Sequence, residues 1–265
     1  NIQISIYGCT NALRPNRIYR EGNYTKTVKD SSNMKQHQSK LSKYSPEQIS
    51  RLFPYSLGED IGNAVSHCVG ALMGIGLLIS LAWIAGRYGN WVDGIAFIFY
   101  GLTIVFMFTM STVYHSMVHH TARDVLKRMD HVAIFILILG TYTPYVFSLL
   151  KSPRGYMTYA ALLVITVVGI VFKAIYAGRF KRIGTLIYVL MGWFSIILLP
   201  EIIAKLSTAG VIFFILGGLI YTVGALFYAF SKFKYSHMVW HIFVVLAALS
   251  MYFSIALYIL QYRGA

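Results

Sequence analysis

Seven long stretches of the chain carry no Asp, Glu, Lys or Arg: 61–86, 94–122, 131–150, 155–172, 183–200, 206–231 and 235–262. Each holds 18 residues or more, close to the ~20 apolar residues a helix needs to cross the hydrocarbon core of a bilayer. Their apolar residues do not alternate with polar ones, as Ile134-Phe135-Ile136-Leu137-Ile138-Leu139 illustrates. A transmembrane β-strand would alternate over about 10 residues. The pattern predicts an all-α membrane protein, a seven-transmembrane-helix bundle, with its fourth helix running past Lys173 to about Ala177. Pro144 is expected to kink the third helix, which neighbouring helices tolerate. Gly70-x-x-x-Gly74 and Gly217-Gly218 read as positions of close helix packing.

Charge divides the chain. Residues 1–60 hold 14 of its 32 charged side chains, so 1–55 reads as a polar, basic tail and 56–265 as the membrane domain. Residues 1–33, ahead of the first methionine at Met34, read either as an upstream extension or as a tail without functional weight. Ile2, Ile4 and Ile6 do not build the apolar stretch of a secretory signal. With Lys173 left out as a charge inside a span, Lys and Arg total 17 on the side of the tail and 5 on the other, and the loops without the tail still give 8 against 5. The excess of positive charge marks the cytoplasmic side, so the N-terminus is expected inside and the C-terminus outside. Trp83, Tyr88 and Trp91 flank the first outer loop as interfacial anchors.

Composition agrees: 57% of the residues are hydrophobic and 12% charged, where soluble domains carry about 25% charged. This excludes a soluble enzyme and a disordered chain, and Cys9 and Cys68 are too far apart in kind, one tail and one span, to staple a scaffold. The net charge of +14 belongs to basic loops and tail, so nucleic acid is not expected as a partner. The expected location is the cell (inner) membrane.

An ionisable residue at the centre of a membrane helix costs roughly 2.5–3.5 kcal/mol, so each one asks for a role. His67 lies near the start of the first span, His115 near the end of the second, Asp130 and His131 at the start of the third, and His237 and His241 at the start of the seventh. The alternating topology brings all of them to the cytoplasmic half. Glu201 lies at the opposite end, as an interfacial carboxylate. His237 and His241, at i and i+4, stand one turn apart on one helical face, the arrangement by which a helix offers two imidazoles to one zinc. With His115 as third ligand, a fourth position stays open for water, the pattern of a catalytic zinc site. Asp130 would orient that water or accept its proton, and Ser111, one turn before His115, would support it. Glu59, Asn63 and His67, spaced at i+4, give the first helix a polar face that either supports the site or caps the helix end. His119 and His120 read as solvated loop residues, and His131, pointing about 100° away from Asp130, as packing.

Ser111-x-x-x-His115, Met129-Asp130-His131, Gly140-Thr141-Tyr142-Thr143-Pro144, Met191-Gly192-Trp193 and His237-x-x-x-His241 together resemble the bacterial hemolysin III family, and Glu59-x-x-x-Asn63-x-x-x-His67 fits as well. The resemblance covers about residues 56–261. The family belongs with the progestin and adipoQ receptors and, more distantly, the alkaline ceramidases. It implies a seven-helix bundle with the N-terminus inside and zinc held by His115, His237 and His241, with Asp130 and Ser111 beside the metal-bound water. Three functions are consistent with it. One is a zinc-dependent hydrolase of a lipid amide or ester, whose partner is a membrane lipid. The second is a pore-forming cytolysin, as the family name has it, although charged groups gathered at one end do not line a pathway. The third is a zinc-stabilised receptor, sensor or regulator of membrane lipid state without turnover.

Overall fold

The computed structural model describes residues 50, 52–176, 180–231 and 233–260, apart from the side chains of 181 and 182. The sequence readings on Cys9 and on the rest of the tail lie outside these residues. Among the described residues there is no strand. Six helices are long and apolar enough to cross a bilayer: α1 Leu57–Tyr88, α2 Trp91–Ser116, α3 His120–Pro144, α4 Pro153–Tyr176, α7 Thr208–Phe230 and α8 Ser236–Tyr258. A pair bent by 55°, α5 Lys181–Trp193 and α6 Leu199–Lys205, is long and apolar enough to make a seventh crossing when its two helices are taken together, so the described residues hold six to seven spans.

Local chemistry sets the ends. Ser56 caps α1: its backbone N–H donates to Glu59 Oε2 at 3.0 Å, and its hydroxyl accepts from the Glu59 N–H. Asn90 caps α2 in the same way with Asp93. Where a straight crossing over 183–200 was expected, the chain tightens to a 3₁₀ turn at Phe194–Ile197 and bends by 55° before α6. Pro200 stands in the first turn of α6; it has no N–H to continue the preceding ladder, so the span breaks there. Pro144 acts differently from a simple kink. Beyond it the chain widens into a π-helical stretch, Tyr145–Leu150, closed by the Lys151 N–H donating to the Val146 carbonyl at 3.0 Å.

Lipid-facing and inward-facing stripes separate cleanly on α1. Ile61, Val65, Val69, Leu72, Ile75 and Ile79 are exposed along one face, while Asp60, Asn63, His67, Gly70 and Gly74 are buried along another. A β-carbon on Gly70 would meet Phe108 at 3.0 Å and one on Gly74 would meet Ile104 at 3.0 Å, so these glycines let α1 and α2 approach. A β-carbon on Gly217 would meet Met251 at 3.0 Å in the same manner, whereas one on Gly218 would meet nothing within 4 Å, at the lining of a cavity. α3 is the central helix: 67% of its most apolar window, counted on to Leu150, is buried, against 22% for α7. Its Tyr142 hydroxyl donates to the carbonyls of Met191 and Gly192, at 2.8 and 2.7 Å, tying α3 to the end of α5. The expected outer anchors Trp83, Tyr88 and Trp91 are exposed, and Glu201 lies 3.6 Å from Arg154.

Candidate metal centre

The helices alternate in direction, so the starts of α1, α3, α5 and α8 and the ends of α2, α4 and α7 share one end of the bundle. At this end the Nε2 atom of His237 stands 3.2 Å from that of His115 and 3.1 Å from that of His241. All three rings are buried, and their ligand atoms lie within 4.8 Å of one another. Two nitrogens bound at 2.0–2.1 Å to one tetrahedral zinc would stand about 3.3 Å apart, so the spacing fits a shared cation.

Hydrogen bonding on the far side of two rings strengthens the fit. His115 Nδ1 stands 2.8 Å from Asp60 Oδ1 and His241 Nδ1 stands 3.1 Å from the Asn63 carbonyl. A carboxylate and a carbonyl only accept, so both Nδ1 atoms donate and both Nε2 atoms carry lone pairs. A proton on His237 Nε2 can serve one of the two short contacts, never both. A cation at the meeting point satisfies all three.

Asp60 and Arg123 hold this arrangement and were not singled out in the sequence. Asp60 is buried and turns one oxygen to His115 and the other to Arg123 Nη2, 2.7 Å away. The same guanidinium donates to the carbonyls of Leu52, at 2.9 Å, and Met117, at 2.7 Å, and lies over the rings of Phe53 and Tyr114. Leu52 and Phe53, just ahead of α1, are buried by these contacts. The signal for Asp60 was its spacing of three and seven residues from Asn63 and His67, all three on the buried face. Arg123 offered none, because it reads as one of several loop charges.

Glu59 sits a residue off that face, in the N-terminal cap of α1, where it also accepts from the Tyr235 N–H at 3.2 Å. Tyr235 has a left-handed backbone (φ 67°), and this bond holds the start of α8 two residues ahead of His237. His67 stacks flat on His241, with ring centroids 3.5 Å apart. Ser111 is fully buried one turn before His115, and its hydroxyl has no hydrogen-bond partner among the described residues, a place for a ligand or water. His119 caps α3, His120 packs edge-on against Phe53, and His131 Nδ1 donates to the Lys127 carbonyl at 2.6 Å.

Asp130 stands apart from the three-histidine cluster's own hydrogen bonds but lines the same cavity as His237. That cavity, about 620 Å³, runs between α3, α5, α7 and α8 from Asp130 and His237 to Leu198, Phe214 and Met251, within the range of small-molecule sites. Its lining is mostly apolar and aromatic, and its charged members, Lys127, Asp130 and Lys173, sit at the histidine end. Tyr55 covers that end, stacked on His237 at 4.8 Å. Burial holds its phenol well above the usual tyrosine range, so it stays protonated.

Fold and site thus define a multi-pass helical membrane protein with a buried histidine triplet opening on an apolar cavity. Residues 55–252 match the model of the family described as haemolysin-III related, and the chain belongs to that family. It is 36% identical over 204 residues to the hemolysin-3 homolog of Bacillus subtilis (strain 168), covering 77% of this chain and 96% of that one. To hemolysin-3 of Bacillus cereus it is 33% identical over 214 residues, covering 81% and 97%. The likeness extends to the monocyte to macrophage differentiation factor of Homo sapiens, 26% identical over 166 residues, covering 60% and 68%, and so into the progestin and adipoQ receptor superfamily.

Proposed function

We propose that the protein is a zinc-dependent hydrolase of a lipid amide or ester, in the cell membrane, with its N-terminus and histidine cluster on the cytoplasmic side. The orientation rests on the Lys/Arg bias of the loops. One observation carries the chemistry: three Nε2 atoms meet at spacings of 3.1 and 3.2 Å, with two rings committed through Nδ1 to acceptors, beside a cavity shaped for an acyl chain. His115, His237 and His241 would hold the metal. Zinc with three protein ligands keeps one position open, lowers the pKa of bound water toward ~7 and polarises a carbonyl.

The protein's own groups divide the remaining work. Asp60 and the Asn63 carbonyl fix the rings of His115 and His241, and Arg123 holds Asp60 in place. Asp130 accepts the proton of the attacking water. Ser111 donates a hydrogen bond beside it, and Tyr55 closes the site against bulk solvent. The apolar cavity binds the chain and aligns the scissile carbonyl.

The names of the Bacillus relatives speak of haemolysis. For this chain a pore is the weaker reading, because every charged side chain lining the cavity gathers at one end. The test is turnover of long-chain N-acyl amides and acyl esters by purified protein in nanodiscs. Cleavage is expected from the parent, and His237→Ala should abolish it. Asp130→Asn should lower kcat by about 10²–10⁴-fold. Turnover that survives His237→Ala overturns the reading, and metal binding without cleavage of any lipid moves it to a sensor.

A further inference from the structure

Lys173 is a lysine inside a membrane helix, one turn from the end of α4, and it is 2% exposed. A side chain of this length near a helix end ordinarily snorkels to the interface; this one turns inward. Its ammonium rests against Gly184 of α5, where a β-carbon would collide with it. It reaches the rings of Phe172, at 5.8 Å, and Tyr188, at 6.0 Å. Among the described residues it makes neither an ion pair nor a hydrogen bond. An unpaired buried charge is costly and in a membrane marks a ligand or an ion path.

The cavity supplies the reason. Lys173 lines it together with Lys127, Asp130 and His131. The charged side chains that line the cavity are all at this end, while the rest of its lining is mostly apolar and aromatic. Arg128, nearby in sequence, is already paired with Asp124 at 2.8 Å. A neutral lipid would leave Lys173 unsatisfied.

We propose that Lys173 is the head-group site for an anionic single-chain amphiphile, a carboxylate or a phosphate, whose chain lies in the cavity toward Leu198, Phe214 and Met251. The proposal rests on the cavity being the lipid chamber of the hydrolase reading, but it requires neither metal nor turnover. It narrows the substrate class from lipid amides and esters at large to those that carry a negative head group, and it gives the fatty acid released by any of them a place to bind.

The test uses the full chain in phosphatidylcholine nanodiscs and displacement of a fluorescent fatty-chain probe by dodecanol, laurate and dodecyl phosphate. In the parent, laurate or dodecyl phosphate should bind at least about tenfold tighter than dodecanol. The stronger of the two identifies the head group as carboxylate or phosphate. Lys173→Met keeps the bulk and removes the charge, so it should fold with undiminished thermal stability. It should bind all three ligands alike, at the dodecanol level of the parent, while Lys173→Arg should restore the preference. The His115→Ala/His237→Ala/His241→Ala variant should keep the preference, which separates this site from the metal. The proposal is overturned if the parent shows no preference, if Lys173→Met retains it, or if it vanishes with the three histidines and not with Lys173. A marked loss of stability in Lys173→Met would also overturn it, by assigning the lysine to packing.

Discussion

Where α1 meets α2 and α8, a methyl group on Gly70 would stand 3.0 Å from Phe108, and His241 reaches the Asn63 backbone at 3.1 Å. Where α3 faces α5 and α7, the walls leave about 620 Å³ open. The two sides of one bundle therefore do different work. On the closed side small residues let backbones approach, and the charged groups are matched to partners, Asp60 to His115 and Arg123, with His241 held by Asn63. On the open side the bent pair of α5 and α6 and Gly218 of α7 line the cavity. A metal site needs fixed nitrogens and a lipid chamber needs room, and the shared residue is His237, which belongs to both.

The largest expected effect breaks the closed side. Asp60→Ala leaves Arg123 buried and uncompensated, which should cost roughly 3–5 kcal/mol, read as loss of thermal stability in detergent. Asp60→Asn should be milder and should weaken metal affinity by about 10–100-fold, because His115 loses its charged acceptor. If Asp60→Ala unfolds no more easily than the parent, the Asp60–Arg123 pair is not what holds this side together.

Glycine substitutions sharpen the contrast between the sides. Gly70→Leu should destabilise by about 1–3 kcal/mol through overpacking. Gly218→Leu, which opens on the cavity, should change stability by less than about 0.5 kcal/mol while displacing the bound chain. Equal losses of stability at both positions would erase the distinction. At the small end, Trp193→Phe removes the Nε1–H bond to Thr222 Oγ1 at 3.2 Å between α5 and α7. Its cost should not exceed about 0.5–1.5 kcal/mol, measured by the same unfolding assay.

What could be read from the sequence follows the same division. An all-helical membrane chain of six to seven spans and the convergence of His115, His237 and His241 were legible, because charge-free runs, alternating direction and an i,i+4 pair are local or additive signals. Asp60 was missed for Glu59 because one residue of helical phase separates an inward face from a cap, and spacing at i+4 chose the wrong neighbour of Asn63. Arg123 was invisible as an anchor, since only tertiary packing distinguishes it from other loop charges. The bend before Pro200 and the π-helical turn after Pro144 depend on how neighbours accommodate a missing N–H, and the cavity is a gap between helices that no single helix encodes. Lys173 was set aside as a charge within a span; its meaning came from what surrounds it.

The most direct test of the central claim is metal content, by elemental analysis, of protein purified in mild detergent without added zinc, beside the His115→Ala/His237→Ala/His241→Ala variant. The account predicts about one zinc per chain in the parent and none in the variant. A parent without metal, or a variant that keeps it, would contradict the account.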